Sequence, residues 1–561
     1  MTNTRYLLGV VAALLTFAGT TGGQMDAKQP RAQGNAGTQT GELLYNGIRL
    51  PAEWPPKGRT LSAEPEGTPQ CVTSPPEVIP IDVGRQLFVD DFLIEETSLF
   101  RLWHAADYCP NNPIVKPDKP WEHEKGSSWA IPFSDGVWFD PQDNLFKMWY
   151  TAGLKAATCY ATSRDGIRWE KPSLDVVPGT NIVHAADRDS NTVWMDLEEK
   201  DPARRFKLFN VELPEMNCIS IYFSPDGIHW TDRIAKSGPC GDRTTVFYNP
   251  FRKVWVYSLR GGHRELGRIR NYREHTDVVA GADWTASDWT PWTNVDRLDA
   301  RRPEIDSPPE LYNVDGVAYE SVILGLFSVW RGHPSYRHKL NDILPAFTRD
   351  GFHWDRACRR PLVTVSERYG DWNWTNVQSA GGCCLVVGDK LYFYVSGRAG
   401  ILGQKDYGVC ATGLATLRRD GFASMSVAHL DGTLTTRPVR FSGRYLFVNV
   451  DSHAGELTVE ALDKKGRVIA PFSEENCAPI RSDKTMQRVT WRGVKDLSAL
   501  AGKPVKFRFQ LKNGDLYSFW VSPEASGASH GCVAAGGPGF TGPTDTVGSA
   551  AYEVCSKGRK L

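Results

Sequence analysis

Acidic side chains recurring at matching depths in repeated text are the residues of this sequence best suited to chemistry. Asp242 and Asp306 each stand seven residues before a turn asparagine, Asn249 and Asn313, and Asp135 and Asp189 lie near the same level ahead of Asp140-Pro141 and Asp201-Pro202. Two carboxyl groups at one site divide acid–base work: a protonated one gives its proton to a leaving oxygen, and an ionised one attacks carbon or activates water. Arg243 beside Asp242 favours the ionised form, which makes Asp242 the expected base or nucleophile. Glu310, or Glu320 on the next strand, has the longer reach expected of the proton donor, and Asp135, Asp189 and Asp306 would orient hydroxyls or tune these two. The plainer reading of each acid is a turn cap or an arginine partner.

A basic stretch lies close by. From Arg260 to Arg273 there are five arginines in fourteen residues, including Arg268 and Arg270, with Tyr272 among them. With Arg243, these guanidinium forks suit a carboxylate or sulfate on an acidic sugar, and a solvated hairpin is the alternative. Trp129 and Trp374 offer faces for sugar stacking, as do Trp103, Trp121, Trp330 and Trp372, although packing in the core is the ordinary use of such rings. Asn376 and Gln378 complete the expected polar lining. Twelve scattered histidines form no HExxH or HxH pattern, so no catalytic metal and no cofactor is expected, while a structural Ca²⁺ in a channel stays compatible with the text.

These residues need elements that bring distant text together, and a repeat supplies them. Ser163-Arg-Asp165-Gly166-Ile-Arg-Trp169, Ser224-Pro-Asp226-Gly227-Ile-His-Trp230 and Thr348-Arg-Asp350-Gly351-Phe-His-Trp354 recur with a period near 62 residues. Ser287-Asp288-Trp289 is a decayed copy and Arg419-Asp420-Gly421-Phe422 a looser fifth one. Strand-like text precedes each copy (Phe146–Tyr150, Phe206–Asn210, Val254–Ser258, Val317–Ser321, Leu391–Val395), and a turn signal precedes each strand. The expected architecture is all-β: a five-bladed β-propeller over 79–428, with the innermost strand of each blade lining a channel, followed by a β-sandwich over 429–523. The aspartates of the repeated turns are expected to bond turn amides and the glycines to adopt a left-handed backbone.

The remaining text sets the context. Arg5, the apolar run Leu7–Phe17 and the small residues that follow predict a cleavable secretion signal over 1–23, hence a secreted or periplasmic protein without a membrane span. Residues 24–78 read as a low-complexity linker and 524–561 as a Gly-, Ala- and Ser-rich, ill-ordered tail. Twelve cysteines predict buried thiols with one or two bridges. With 65 basic against 65 acidic side chains, no global field draws in nucleic acid, and 19 Trp, 19 Tyr and 24 Phe point to carbohydrate as the partner. Oligomeric state leaves no trace in the text.

The turns SRDGIRW and SPDGIHW on five recurring units, followed by a sandwich, make the chain resemble the glycoside hydrolases of families 32, 43 and 68, the relatives of invertases, fructanases and arabinanases. Leu87-Phe-Val-Asp-Asp91-Phe-Leu-Ile-Glu95 and Gly443–Asn449 look like a branch of secreted bacterial family-32-like proteins. The resemblance implies carboxylates from different blades converging at one end of the channel to cleave glycosidic bonds. It transfers no catalytic residue, because the family's Asn-Asp-Pro-Asn, Arg-Asp-Pro and Glu-Cys motifs have no counterparts: Asp201-Pro202 follows Lys200, and no Glu-Cys pair occurs. A non-catalytic carbohydrate-binding propeller is the first alternative. A sialidase-like enzyme, with three arginines on a carboxylate and Tyr272 or Tyr319 as nucleophile, is the second.

Overall fold

The computed structural model describes residues 41–214, 217–427 and 430–558; the expected secretion signal and residues 24–40 lie outside them. The described chain is all-β, with several four-stranded antiparallel sheets in a propeller-like arrangement beside a sandwich of two sheets. The first sheet runs Ser128–Asp140, Leu145–Ala152, Ala157–Ser163 and Ile182–His184. The second comprises Arg188–Met195, Phe206–Glu212, Ser220–Ser224 and Ala235–Lys236. The third comprises Thr245–Asn249, Val254–His263, Gly267–His275 and Thr290–Thr293. A fourth group holds Glu310–Glu320, Val322–Gly332 and Leu340–Thr348, and a fifth holds Asn376–Ser379, Lys390–Arg398 and Val409–Arg418.

The leading strands of these groups meet. Ser128–Asp140 touches Arg188–Met195 on one side and Asn376–Ser379 on the other, and Thr245–Asn249 touches both Arg188–Met195 and Glu310–Glu320. Asp107–Tyr108, which precedes the first sheet in sequence, pairs with the last strand of the fifth group, so text from both ends of the series shares one ladder. Parallel bridges at Asn341–Asn376 and at Ser128–Ala130 with Val409–Ala411 join the fourth, fifth and first groups edge to edge. Both faces of the strands are packed: Phe146, Met148, Trp149 and Tyr150 are all fully buried, and the two-residue alternation of a half-solvated sheet is lost.

The repeated turns are latches between these sheets. Asp165 Oδ1 accepts from the amides of Ile167 and Arg168 (both 2.8 Å), and Asp226 and Asp350 do the same in their copies. Gly166, Gly227 and Gly351 have φ of +74°, +80° and +85°. Tyr394 of the fifth group donates to Gly166 O (2.8 Å), Trp149 of the first to Gly227 O (2.7 Å) and Trp292 of the third to Phe352 O (2.7 Å). Asp288 instead caps a short 3-10 turn, accepting from Thr285 N at 2.7 Å. Asp420 departs further, because its carboxylate bonds Arg85, Tyr319 and Ser518 rather than its own turn.

Several expectations need correction. Asn313-Val-Asp315-Gly316 is not a turn; it lies within Glu310–Glu320, whose hairpin reverses at Glu320 and Ser321, with Tyr319 opposite Val322. The sandwich is larger than 429–523. Its two sheets recruit Gln86–Leu87, Ile94–Thr97, Phe100–Trp103 and Ala423–Ser426, with Thr97 opposite Leu434. Residues 41–78 are no free tether, since Leu44, Ile48, Leu50 and Val72 are buried in the sandwich core. The glycine-rich text from 524 is ordered as well: Val533 and Phe540 lie in the propeller-like core, and Cys532–Val533 pairs with Tyr319–Glu320. No bridge forms among the eleven described cysteines, all of which are free thiols.

Candidate functional site

Backbone irregularity marks one end of the meeting strands. Ladder register breaks between Ile131 and Gly136, between Arg188 and Asn191, and between Leu311 and Asn313. Bulges of this kind re-aim side chains beside functional sites. Phe133, Ser134, Lys155, Arg243 and Lys339 all have left-handed backbones, with φ of +41°, +72°, +59°, +58° and +52°. Such a conformation costs a non-glycine residue about 1–3 kcal/mol and persists only where its surroundings hold it.

Arg243 is the hub of this region. Fully buried, it donates from Nη1 to Phe133 O and from Nη2 to Ser134 Oγ, both at 3.0 Å, and lies 4.0 Å from the Phe133 ring centroid. Ser134 Oγ in turn donates to Asp315 at 3.2 Å, and Asp315 also accepts from Asn313 (2.9 Å) and from Ser379. Burial pushes the Asp315 carboxyl above the ordinary carboxylate range, even with Arg243 nearby. Asp135 is gripped by both terminal nitrogens of Arg188. Lys155 Nζ pairs with Asp189, and the charge of Asp242 also favours its ammonium. Burial, with Lys339, Arg398 and Arg243 adding to it, lowers Lys155 to about 8.

The sequence-predicted residues divide sharply. Asp242 lies just ahead of Thr245–Asn249, 38% exposed and 3.2 Å from Arg260 Nε, and Glu310 pairs with Arg268 at 2.7 Å and accepts from its amide at 3.0 Å. Asp306 is corrected: it sits exposed on irregular chain before the fourth group, because the turn used to align it does not exist. Glu320 is corrected too, being sealed away with Arg85, Arg419, Asp545 and Ser529 where the fourth group meets the sandwich. Arg270 is fully buried, spends Nη1 on Arg243 O (2.6 Å) and Nη2 on Tyr312 O, and so positions these two backbones and does not meet a ligand. Burial and the neighbouring Arg243 bring it down to about 9.

Tyr272 is buried against Trp292 and Phe352 and donates to Glu274, and Tyr319, also buried, donates to Asp420, so neither nominal nucleophile is free to attack a substrate. Trp129 and Trp374, 1% and 3% exposed, present no open face to a sugar. Asn376 and Gln378 act indirectly: Gln378 donates to Asn376 Oδ1 (2.9 Å), and Asn376 donates to Lys339 O (2.7 Å).

Reading the sequence for acids overlooked Lys155, Tyr312, Asp315, Lys339 and Arg398. Tyr312 is the bulged residue between Leu311 and Asn313. Burial raises its hydroxyl, but Lys339, Arg398 and Arg243 outweigh this and hold it below the ordinary phenol range. Of the five, Asp315 alone carried a readable signal, as an acid in a leading strand, and the apparent turn around it concealed that. Among the described residues no group of three or more His, Cys, Asp or Glu is arranged to hold a metal ion.

Comparison with known proteins gives distant likeness. No protein-family model matches the chain. Over 77 residues it is 32% identical to sucrose-6-phosphate hydrolase of Escherichia coli, a match covering 13% of this chain and 15% of that protein. The chain thus spans about one seventh of the length of the curated relative it matches. A glycosyl hydrolase from Bacteroides ovatus is similar at a TM-score of 0.39 and 13% identity, covering 60% of this chain and 97% of its own. An exo-β-1,3-galactanase from Phanerochaete chrysosporium is similar at 0.33 and 9%, covering 72% and 99%. A thermostable family-43 glycoside hydrolase gives 0.35 and 11%, covering 52% and 95%. These likenesses single out no one branch. Among the described residues no helix is long and apolar enough to cross a membrane.

Proposed function

We propose that the chain is an exported glycoside hydrolase built on a closed five-bladed propeller with a β-sandwich, cleaving glycosidic bonds of extracellular poly- or oligosaccharides. The observation that carries this reading is the gathering of acids and cations where the leading strands bulge: Asp189 pairs with Lys155, Asp242 with Arg260, and Asp315 accepts from Ser134, which Arg243 holds. Glycosidic cleavage requires two carboxyl groups at one site. Asp242, among Arg260, Lys155 and Arg243, takes the part of base or nucleophile. Asp315 takes the proton-donor part in place of Glu320, because burial favours its protonated form and it accepts from Ser134, which Arg243 holds. Glu310 and Arg268 form the rim, while Asp135 and Asp189 brace Arg188 and Lys155. The short stretch shared with sucrose-6-phosphate hydrolase agrees with this class of chemistry.

A second reading, a non-catalytic carbohydrate-binding propeller, is favoured by one observation: Asp135, Asp189, Asp242 and Glu310 each already carry a cationic partner. Assay of the purified chain against a panel of plant and algal glycans separates the two. Hydrolysis that falls by about 10²–10⁴-fold in Asp242→Asn and Asp315→Asn supports the enzyme. Intact substrates together with measurable sugar binding support the binding module.

A further inference from the structure

Where the leading strands bulge, positive charge exceeds what the acids there neutralise. Arg188 is matched by Asp135, Lys155 by Asp189, Arg260 by Asp242 and Arg268 by Glu310. Arg243, Lys339 and Arg398 remain, and among the described residues no carboxylate lies within ion-pair distance of any of them. Arg398 is the most telling. It is 1% exposed, its Nε and Nη1 have no hydrogen-bond partner, and rings surround it: Tyr407 at 4.6 Å, Trp129 at 5.1 Å and Phe133 at 5.4 Å from the guanidinium carbon. A buried guanidinium with idle donors is costly unless a ligand completes it.

Lys339 points the same way. Its Nζ donates to Tyr407 Oη at 3.0 Å and lies 5.8 Å from the Tyr312 ring, which Arg243 and Arg268 also approach at 5.6 and 5.4 Å. Its left-handed backbone is fixed by Asn376, which bonds the Lys339 carbonyl. Cations are thus gathered around one tyrosine with aromatic walls behind them, an arrangement that suits a planar or tetrahedral oxyanion on a sugar ring.

We infer that this site selects saccharides carrying an oxyanion, a uronate carboxylate or a sulfate ester, held between Arg398, Lys339 and Arg243 beside Tyr312. The inference deepens the hydrolase reading and rests on its premise that the site takes sugar. Lys155 reinforces the field, and the acids facing it, Asp189 and Asp242, are shared with Lys155 and Arg260.

Monosaccharides have no glycosidic bond to lose, so the full wild-type chain can be titrated calorimetrically. The probes are glucuronate, galacturonate and galactose 6-sulfate, with glucose, galactose and inorganic sulfate alongside. The expected result is that at least one acidic sugar binds about tenfold or more tighter than its neutral parent and tighter than free sulfate, and that added salt erodes the preference. Which acidic sugar wins separates carboxylate from sulfate recognition. Arg398→Met should abolish the preference, and Lys339→Met, at a more open position, should weaken it if Arg398→Met does not fold. Equal affinity for acidic and neutral sugars, tightest binding of free sulfate, or a preference that survives both substitutions would overturn the inference. Hydrolysis of neutral glycans without any anion preference removes this inference alone, and anion preference without hydrolysis of any glycan removes the hydrolase reading alone.

Discussion

Arg243 and Ser134 are joined by a hydrogen bond of 3.0 Å between residues 109 positions apart, which fastens the approach to the third sheet to the bulge in the leading strand of the first. The same guanidinium reaches the Phe133 carbonyl, so a two-pronged grip holds two left-handed residues in place. Lysine keeps the charge and loses the fork. Arg243→Lys is expected to lower stability by about 1.5–3 kcal/mol, the range for hydrogen bonds to a charged group, and to weaken acidic-sugar binding. Urea unfolding and calorimetry of the same preparation check both, and unchanged values in each would mean that the fork is idle.

At the other end of the fourth group, Arg85, Arg419, Glu320, Asp420 and Asp545 form a network with no solvent exposure. Removing one partner from such a group costs about 3–5 kcal/mol, because a charge is left buried and alone. Arg85→Met should therefore destabilise strongly while sugar binding in the surviving folded fraction is unaffected. Burial raises Asp420, but Arg85 and Arg419 outweigh it and leave its carboxyl below the ordinary range. A depressed folded value contributes stability above the unfolded carboxylate pKa and loses it as pH falls through the folded value. The variant should accordingly show a flatter acid limb than wild type when unfolding midpoints are followed from pH 7 to pH 3.

Lys155 predicts an alkaline limit on ligand binding. It faces Asp189 and Asp242 with Lys339, Arg398 and Arg243 around it, and its ammonium is lowered to about 8. Below that pH it carries the charge an anionic ligand requires, and above it the charge is lost. Affinity for an acidic sugar should fall as pH rises from 7 to 9, with the break near 8. Lys155→Arg, charged throughout, should flatten this limb. An unaltered limb in that variant would assign the titration to another group.

The repeated turns were legible in the sequence because their physics is local: Ser163, Asp165 and Gly166 bond one another within four residues. The count of five recurring units came from the same signal. What misled was Asn313-Val-Asp-Gly, which has the composition of a turn but lies within a strand buried on both faces, where packing overrides turn preference. The sandwich strands Ile94–Thr97 and Phe100–Trp103 were illegible for a different reason. Their partners lie more than 300 residues away, and nothing in four residues of chain announces that. At the site, Asp242 was readable as an acid ahead of the Asn249-Pro250 turn, whereas Glu310 was placed by a turn at Asn313 that the strand Glu310–Glu320 replaces. Lys155, Lys339 and Arg398 were missed because what sets them apart is their burial among other cations and rings, which only packing reveals.

Two glycines with the same backbone conformation test whether the turns latch the sheets. Gly227 and Gly466 both have φ of +80°. A Cβ on Gly466 would meet nothing within 4 Å, whereas one on Gly227 would lie 2.4 Å from Trp149 Cζ2, on a ring that is fully buried and bonded to the Gly227 carbonyl. Gly466→Ala should cost only the left-handed penalty of about 1–2 kcal/mol. Gly227→Ala should add about 1–3 kcal/mol for overpacking, because the indole cannot retreat without giving up its hydrogen bond. Urea midpoints of the two variants measured side by side decide the matter: equal losses would mean that the first and second sheets tolerate separation at this turn, and that the latch contributes little to their packing.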